Sequence, residues 1–286
     1  MVFPEFDPIL FQIGPVAIRW YALAYVAGIL LGWRYAAMLA RREALWSPGR
    51  SPATPAQIDD LVLWVTLGVI LGGRLGYVLF YGALMDPPIW SNPLDIFKIW
   101  EGGMAFHGGA LGVAIAIVLF ARAQKMSMLK LGDLVAPVVP IGLFFGRVAN
   151  FINGELWGRP TDGPLGVIFC NDRIRALYSG VCPAGEMPRH PSQLYEAGLE
   201  GVGLFLLLWL AVWKLKLLAK PGYVTGLFLL GYGLIRALLE TVREPDSFMP
   251  EALSGYVTMG MLLSIPMILI GAWLIWRARS RPPVAE

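Results

Sequence analysis

An arginine, two amides and a carboxylate crowd the end of an apolar segment in the run Gly146-Arg147-Val148-Ala149-Asn150-Phe151-Ile152-Asn153-Gly154-Glu155-Leu156-Trp157-Gly158. Arg147, Asn150 and Gly154 recur at three- and four-residue intervals, so a helix places them on one face. An arginine at mid-bilayer costs roughly 2.5–3.5 kcal/mol, and the default reading of one placed there is functional. A lone interfacial arginine snorkelling to the headgroups is the bland alternative, but this run is far denser in polar groups than that. Arg236, Glu240 and Arg243 form a second set at i, i+4 and i+7, again one helical face. They read as an internal ion-pair ladder, as a second arm of a phosphate site facing Arg147, or as both, because the guanidinium fork binds phosphate oxygens in pairs. His107 lies among glycines in Gly102-Gly103-Met104-Ala105-Phe106-His107-Gly108-Gly109. Imidazole titrates near neutral pH, which suits a general base or a phosphate or thiol contact. The competing role is a histidine hydrogen-bonded to a neighbouring helix.

These residues need a membrane scaffold. The chain has 286 residues, 57% hydrophobic and only 15% charged, with a net charge of +3 and a mean hydropathy of +0.61. A soluble domain carries roughly a quarter charged residues, so the composition specifies an all-α polytopic membrane protein in one integral domain over residues 1–286. Residues 1–15 read as an interfacial arm with no basic leader region. Seven spans follow, at about Val16–Leu39, Ile58–Ala83, Gly103–Ala121, Leu131–Ile152, Ser192–Trp213, Gly222–Val242 and Leu253–Trp276. Residues 154–190, rich in Gly and Pro, read as a small folded cap between the fourth and fifth spans.

Lysine and arginine gather after the first, third, fifth and seventh spans, at Arg34 to Arg50, Arg122 to Lys130, Lys214 to Lys220 and Arg277 to Arg281. The positive-inside rule then places the C-terminus in the cytoplasm and the N-terminus outside. The same rule places His107, Arg147, Asn150, Glu155, Arg236 and Glu240 at the outer face. Arg74, deep in the second span, reads as paired with a carboxylate of a neighbouring helix or as facing the lipid cavity. Asp133 reads as a helix N-terminal acid and Tyr21 as an interface aromatic. Cys170 and Cys182 fall in the cap, where an oxidising compartment allows a disulfide, and no metal-binding spacing is present.

The central run resembles the motif G-R-x-x-N-F-x-N-G-E-x-x-G of prolipoprotein diacylglyceryl transferases. The resemblance extends to the His107-Gly108-Gly109 segment, to His190-Pro191-Ser192-Gln193-Leu194-Tyr195-Glu196 and to Gly231-Tyr232-Gly233-Leu234-Ile235-Arg236. It implies transfer of the diacylglyceryl group of phosphatidylglycerol to the lipobox cysteine of a prolipoprotein in the bacterial inner membrane, forming a thioether and releasing glycerol phosphate. It implies Arg236 as a lipid-phosphate contact and a functional role for Tyr21. Together with the readings from the residues themselves, the expected catalytic residues are His107, Arg147 and Arg236, and the expected substrate contacts Tyr21, Arg74, Gly108, Asn150, Asn153, Glu155, Gly158, Tyr232, Glu240 and Arg243. His190, by contrast, reads as part of a helix start. Neither cofactor, metal nor nucleic acid is implied; the partners are the two substrates and membrane lipids.

A lipid flippase or transporter using the same arginines is the rival class. It expects inverted repeats and broken helices, and the sequence displays neither. An intramembrane protease is a weaker rival, since Ser264 stands alone without G-x-S-x-G. The orientation has a direct check. Asp162→Cys should react with an impermeant thiol reagent added outside and Arg50→Cys should not, and the reverse pattern overturns the orientation.

Overall fold

The computed structural model describes residues 1–14, 16–47, 50–82, 88–99, 102–244 and 257–280. The protein is mostly helical. Four helices are long and apolar enough to cross a membrane: α1 (Trp20–Ala40), α2 (Pro55–Phe80), α7 (Ser192–Lys214) and α9 (Met259–Ser280). The pair α4 (Met128–Val135) and α5 (Val139–Asn153) makes a fifth if its 41° bend lies within one span. Two shorter apolar helices, α3 (Phe106–Ala123) and α8 (Tyr223–Leu239), fall in the segments expected as the third and sixth spans but are shorter than the four. Large apolar side chains point outward along these helices, among them Leu79, Leu269 and Trp276. A membrane's acyl chains are the environment that tolerates such faces.

The segment expected as the fourth span is therefore two helices bent by 41°, which the sequence reading did not anticipate. Pro137 cannot donate the next helical hydrogen bond, so the backbone turns between Val135 and Val139 before Pro140 opens the following helix. The start of the seventh span, residues 253–256, and Ala83 lie outside the described residues.

The chain divides into two compact units, residues 51–131 and residues 1–50 with 132–286. In the first, α2 opens on a capping box in which Gln57 N donates to Thr54 Oγ1 at 3.3 Å and Thr54 N donates to Gln57 Oε1 at 2.9 Å. Helices α2 and α3 touch backbone to backbone. A Cβ on Gly72 would lie 2.4 Å from Gly108 O, and one on Gly112 only 2.1 Å from Gly68 O. Small residues are what lets two apolar helices approach this closely in a bilayer.

In the second unit, α5 packs against α1 and α7, and α8 packs against α9. The N-terminal residues depart from a plain surface arm. A two-stranded antiparallel hairpin, β1 (Ile9–Ile13) and β2 (Val16–Arg19), precedes α1, so the protein is not entirely α. Phe3 is buried in a small cluster with Val167, Phe169, Ile174 and Ala184. The segment 154–190 thus has its own apolar centre, completed by the N-terminus: Phe3 N donates to Ile168 O and Ile168 N to Met1 O, both at 2.9 Å. A helix α6 (Asp172–Leu177) and a Cys170–Cys182 disulfide complete it.

Asp133 does more than start a helix. It is fully buried and accepts from Gly222 N at 2.6 Å, Thr225 N at 2.8 Å and Thr225 Oγ1 at 2.8 Å. A side chain of α4 thereby caps α8. Asp133→Ala would orphan two buried amides, at roughly 1–3 kcal/mol each. The variant's thermal midpoint in detergent should fall clearly below that of the parent, and an unchanged midpoint would remove this capping role.

Candidate active site

Six charges meet inside the second unit. Glu196 and Glu200, four residues apart on α7, have fully buried side chains. Arg147 of α5 meets Glu196 from one side, Nε to Oε2 at 3.0 Å. Arg236 of α8 meets the other oxygen, Nη1 to Oε1 at 2.9 Å, and Arg243 pairs with that same oxygen. Arg236 Nη2 also holds Glu240 Oε1 at 2.7 Å, and Arg243 Nε holds it at 3.0 Å. The expected ion pairs exist, but not on one helical face, because α8 ends at Leu239 and Arg243 lies past it in a bridge to Gly158. Arg236, Arg243 and Arg147 converge on one carboxylate.

Local features of the sequence make this convergence. Helix α7 widens into π turns at Ala197–Gly203, immediately after Glu196, the type of irregularity common at functional sites. Gly201 lets α7 reach α5: a Cβ there would stand 2.9 Å from Phe144 Cα. Gly260 of α9 does the same over Glu240, whose Oε1 would lie 2.3 Å from an added Cβ. Tyr232, stacked on Phe228 at 5.8 Å, neighbours Glu200, Arg236 and Arg147.

The amides form a second layer. Glu155 Oε1 accepts from Asn150 Nδ2 at 2.8 Å and from Asn153 Nδ2 at 3.3 Å. Tyr21 lies beside Asn150 and Glu155. Gly154 ends α5 in the left-handed region at φ 70°, which glycine adopts freely. Leu156 has φ 58°, a conformation an L-residue enters only at a cost. Gln193 Nε2 donates to Glu155 O at 2.6 Å and Ser192 Oγ to Leu156 O at 3.0 Å. The start of α7 is therefore bolted to the end of α5, which fixes Glu196 against Arg147.

Segment 154–190 clasps the far end of α8. Gly158 pairs with Arg243 in an antiparallel bridge and has no room for a side chain, Val242 O lying 2.4 Å from an added Cβ. Arg159 Nε donates to Arg243 O at 2.8 Å, and Arg189 pairs with Glu244 at 2.7 Å. His190 Nδ1 lies 3.4 Å from Tyr195 Oη. Between α7 and α8 runs an open apolar groove of about 590 Å³, lined by Leu194, Tyr195, Leu199, Leu238, Leu239 and Val242.

In the other unit, Arg74 does neither of the things expected of it. All three guanidinium nitrogens donate to backbone carbonyls: Nε to Ile96 at 2.8 Å, Nη1 to Gly102 at 2.7 Å and Gly103 at 3.0 Å, Nη2 to Asp95 at 2.5 Å. Arg74 is a staple for the loop that leads into α3. His107 stands exposed in the first turn of α3, and its neighbour Gly108 is the contact point with Gly72 and Gly76.

Glu196 and Glu200 escaped the sequence reading as site residues. The signal was present: three arginines inside apolar segments require counter-charges, and α7 offers two carboxylates one turn apart. Among the described residues no group of three His, Cys, Asp or Glu is placed to hold a metal. What the arrangement offers is a nest of forked cations held neutral by carboxylates, beside an apolar groove.

The sequence profile of the family described as prolipoprotein diacylglyceryl transferase matches residues 8–277. The chain belongs to that family. A relative from Caulobacter vibrioides, named phosphatidylglycerol–prolipoprotein diacylglyceryl transferase, is 61% identical over 292 residues, 99% of this chain and 96% of the relative. One from Phenylobacterium zucineum is 60% identical over 286 residues, covering 100% and 97%. One from Rhizobium meliloti is 50% identical over 285 residues, covering 99% and 96%. Both bear the same name.

Breaking a buried ion pair by deleting one partner costs roughly 3–5 kcal/mol. Glu196→Ala, which strands three guanidiniums, should lower the thermal midpoint well below that of Glu196→Gln, whose amide oxygen still accepts hydrogen bonds. Equal midpoints for the two would show that hydrogen-bond acceptance is not what Glu196 supplies.

Proposed function

We propose that this chain transfers the diacylglyceryl group of phosphatidylglycerol to the thiol of a prolipoprotein's lipobox cysteine, with the Arg147–Arg236–Glu196 convergence as its lipid-phosphate site. One observation carries the assignment of the site: two guanidiniums from different helices meet at one buried carboxylate, so a phosphate displacing that carboxylate finds both forks already aimed. The groove between α7 and α8, apolar along most of its lining, suits an acyl chain. In this reading the seven spans cross the bacterial inner membrane with the N-terminus and segment 154–190 on the periplasmic side. A disulfide-bonded segment is consistent with that oxidising side.

The bond that breaks joins the glycerol carbon to a phosphate oxygen, and the thiol sulfur takes the phosphate's place. Charge develops on the departing phosphomonoester. Arg147 and Arg236 stabilise it, the electrostatic effect that usually contributes most to such a step. His107 draws the proton from the substrate thiol, which free in water titrates near 8.5. Asn150, Asn153 and Glu155, with Tyr21, orient the headgroup; Tyr232, Glu240 and Arg243 hold the forks in place. Gly158 and Gly108 serve by their lack of a side chain, and Arg74 by fixing the approach to His107.

Purified protein mixed with phosphatidylglycerol and a lipobox peptide should add one diacylglyceryl unit to the peptide, read by mass spectrometry; an unmodified peptide contradicts the assignment. Arg147→Lys and Arg236→Lys keep charge but lose the fork, and each should raise KM for the lipid and cut kcat roughly 10²–10³-fold. Lipid KM and kcat within a few-fold of the parent would move the phosphate elsewhere. His107→Gln should lose roughly 10²–10⁴-fold at neutral pH. Part of that rate should return as pH approaches the thiol's own titration, since solvent then supplies thiolate. A deficit constant across pH would leave His107 as a scaffold or headgroup contact.

A further inference from the structure

The buried cluster is neutral when all its groups are ionised: Arg147, Arg236 and Arg243 against Glu196, Glu200 and Glu240. Its carboxylates are unequal. Glu196 is gripped by three guanidiniums and Glu240 by two, at ion-pair distances of 3.0 Å or less. Glu200 reaches its nearest guanidinium nitrogens only at 3.7 Å, on Arg147, and 3.8 Å, on Arg236. Its side chain is wholly buried, and neither carboxylate oxygen accepts a hydrogen bond among the described residues. The groups that face it are Arg147 from α5, Glu196 from its own helix, Arg236 and the phenol of Tyr232 from α8, and Arg243 from the segment after α8.

A phosphodiester brings one negative charge into this neutral interior. Once the phosphate oxygens take up the Arg147 and Arg236 forks, the carboxylate already farthest from them loses what compensation it had. An uncompensated buried charge is strongly disfavoured, and a carboxylate escapes that penalty by taking a proton. We propose that Glu200 takes up one proton from water as the lipid phosphate enters, so that the occupied cluster stays neutral, and gives it back to water when the headgroup leaves. Glu200 is then a positioning residue that sets the charge available to Arg147 and Arg236. The proposal rests on reading those arginines as the phosphate site.

Coupled uptake of one proton makes affinity pH-dependent by linkage. Where the empty site holds Glu200 ionised, KM for phosphatidylglycerol should climb about tenfold per pH unit, while kcat keeps the profile set elsewhere. Glu200→Gln, an isostere of the protonated acid, should show a KM that is low and flat with pH. Calorimetric titration of the parent with short-chain phosphatidylglycerol, in two buffers of different ionisation enthalpy, counts the protons directly. About one should be taken up per headgroup by the parent, and none by Glu200→Gln.

Zero uptake by the parent overturns the proposal even if the variant fails to fold. A pH slope of KM that survives in a folded Glu200→Gln overturns it as well. Failure of the underlying reading looks different: lipid KM then ignores Arg147→Lys and Arg236→Lys, whatever Glu200 does.

Discussion

A charge inside a membrane protein survives only with a partner, and that constraint organises the second unit of this chain. Three guanidiniums meet inside it, and each is neutralised by carboxylates. Glu196 sits at the centre of the solution, with Arg147 on one oxygen and Arg236 and Arg243 on the other. Much of the neighbouring architecture keeps that carboxylate in place. Ser192 and Gln193 bolt its helix to the loop after α5, glycines let α5 and α9 close over the cluster, and segment 154–190 clasps the end of α8.

This arrangement trades stability for readiness. Replacing buried ion pairs with apolar side chains of similar volume is often neutral or favourable for folding, so the cluster is poor value as glue. In the proposed reading, its worth lies in preorganisation. Forks already aimed at a common point need little rearrangement when a phosphate arrives, and little more when charge builds on it in the transition state.

Much of this was legible in the sequence because arginine and glutamate are conspicuous in apolar segments. Helical spacing put Arg236, Glu240 and Arg243 on one face; the ion pairs are there, although the helix ends before Arg243. Glu196 and Glu200 were overlooked because His190-Pro191-Ser192 reads as an ordinary helix start, and because which arginine a carboxylate meets depends on helix packing, a tertiary property. Arg74 shows the same gap. From the sequence it is a buried cation wanting a carboxylate or a phosphate, whereas the fold satisfies it with four carbonyls from a loop more than twenty residues away. The break at Pro137 was visible as a residue, but a proline in a span kinks or ends it according to its neighbours. The hairpin at Ile9–Arg19 lacked the clean alternation that marks a strand, and Phe3 gave no local sign that its partners lie beyond Gly166.

The central claim is that Arg147 and Arg236 hold the lipid phosphate together. A density map of the protein in nanodiscs of phosphatidylglycerol tests it most directly. The account predicts a phosphate within hydrogen-bonding reach of both guanidiniums, with an acyl chain entering the groove between α7 and α8 and Glu196 released from at least one fork. A headgroup bound elsewhere, with all the Glu196 pairs intact, would contradict it.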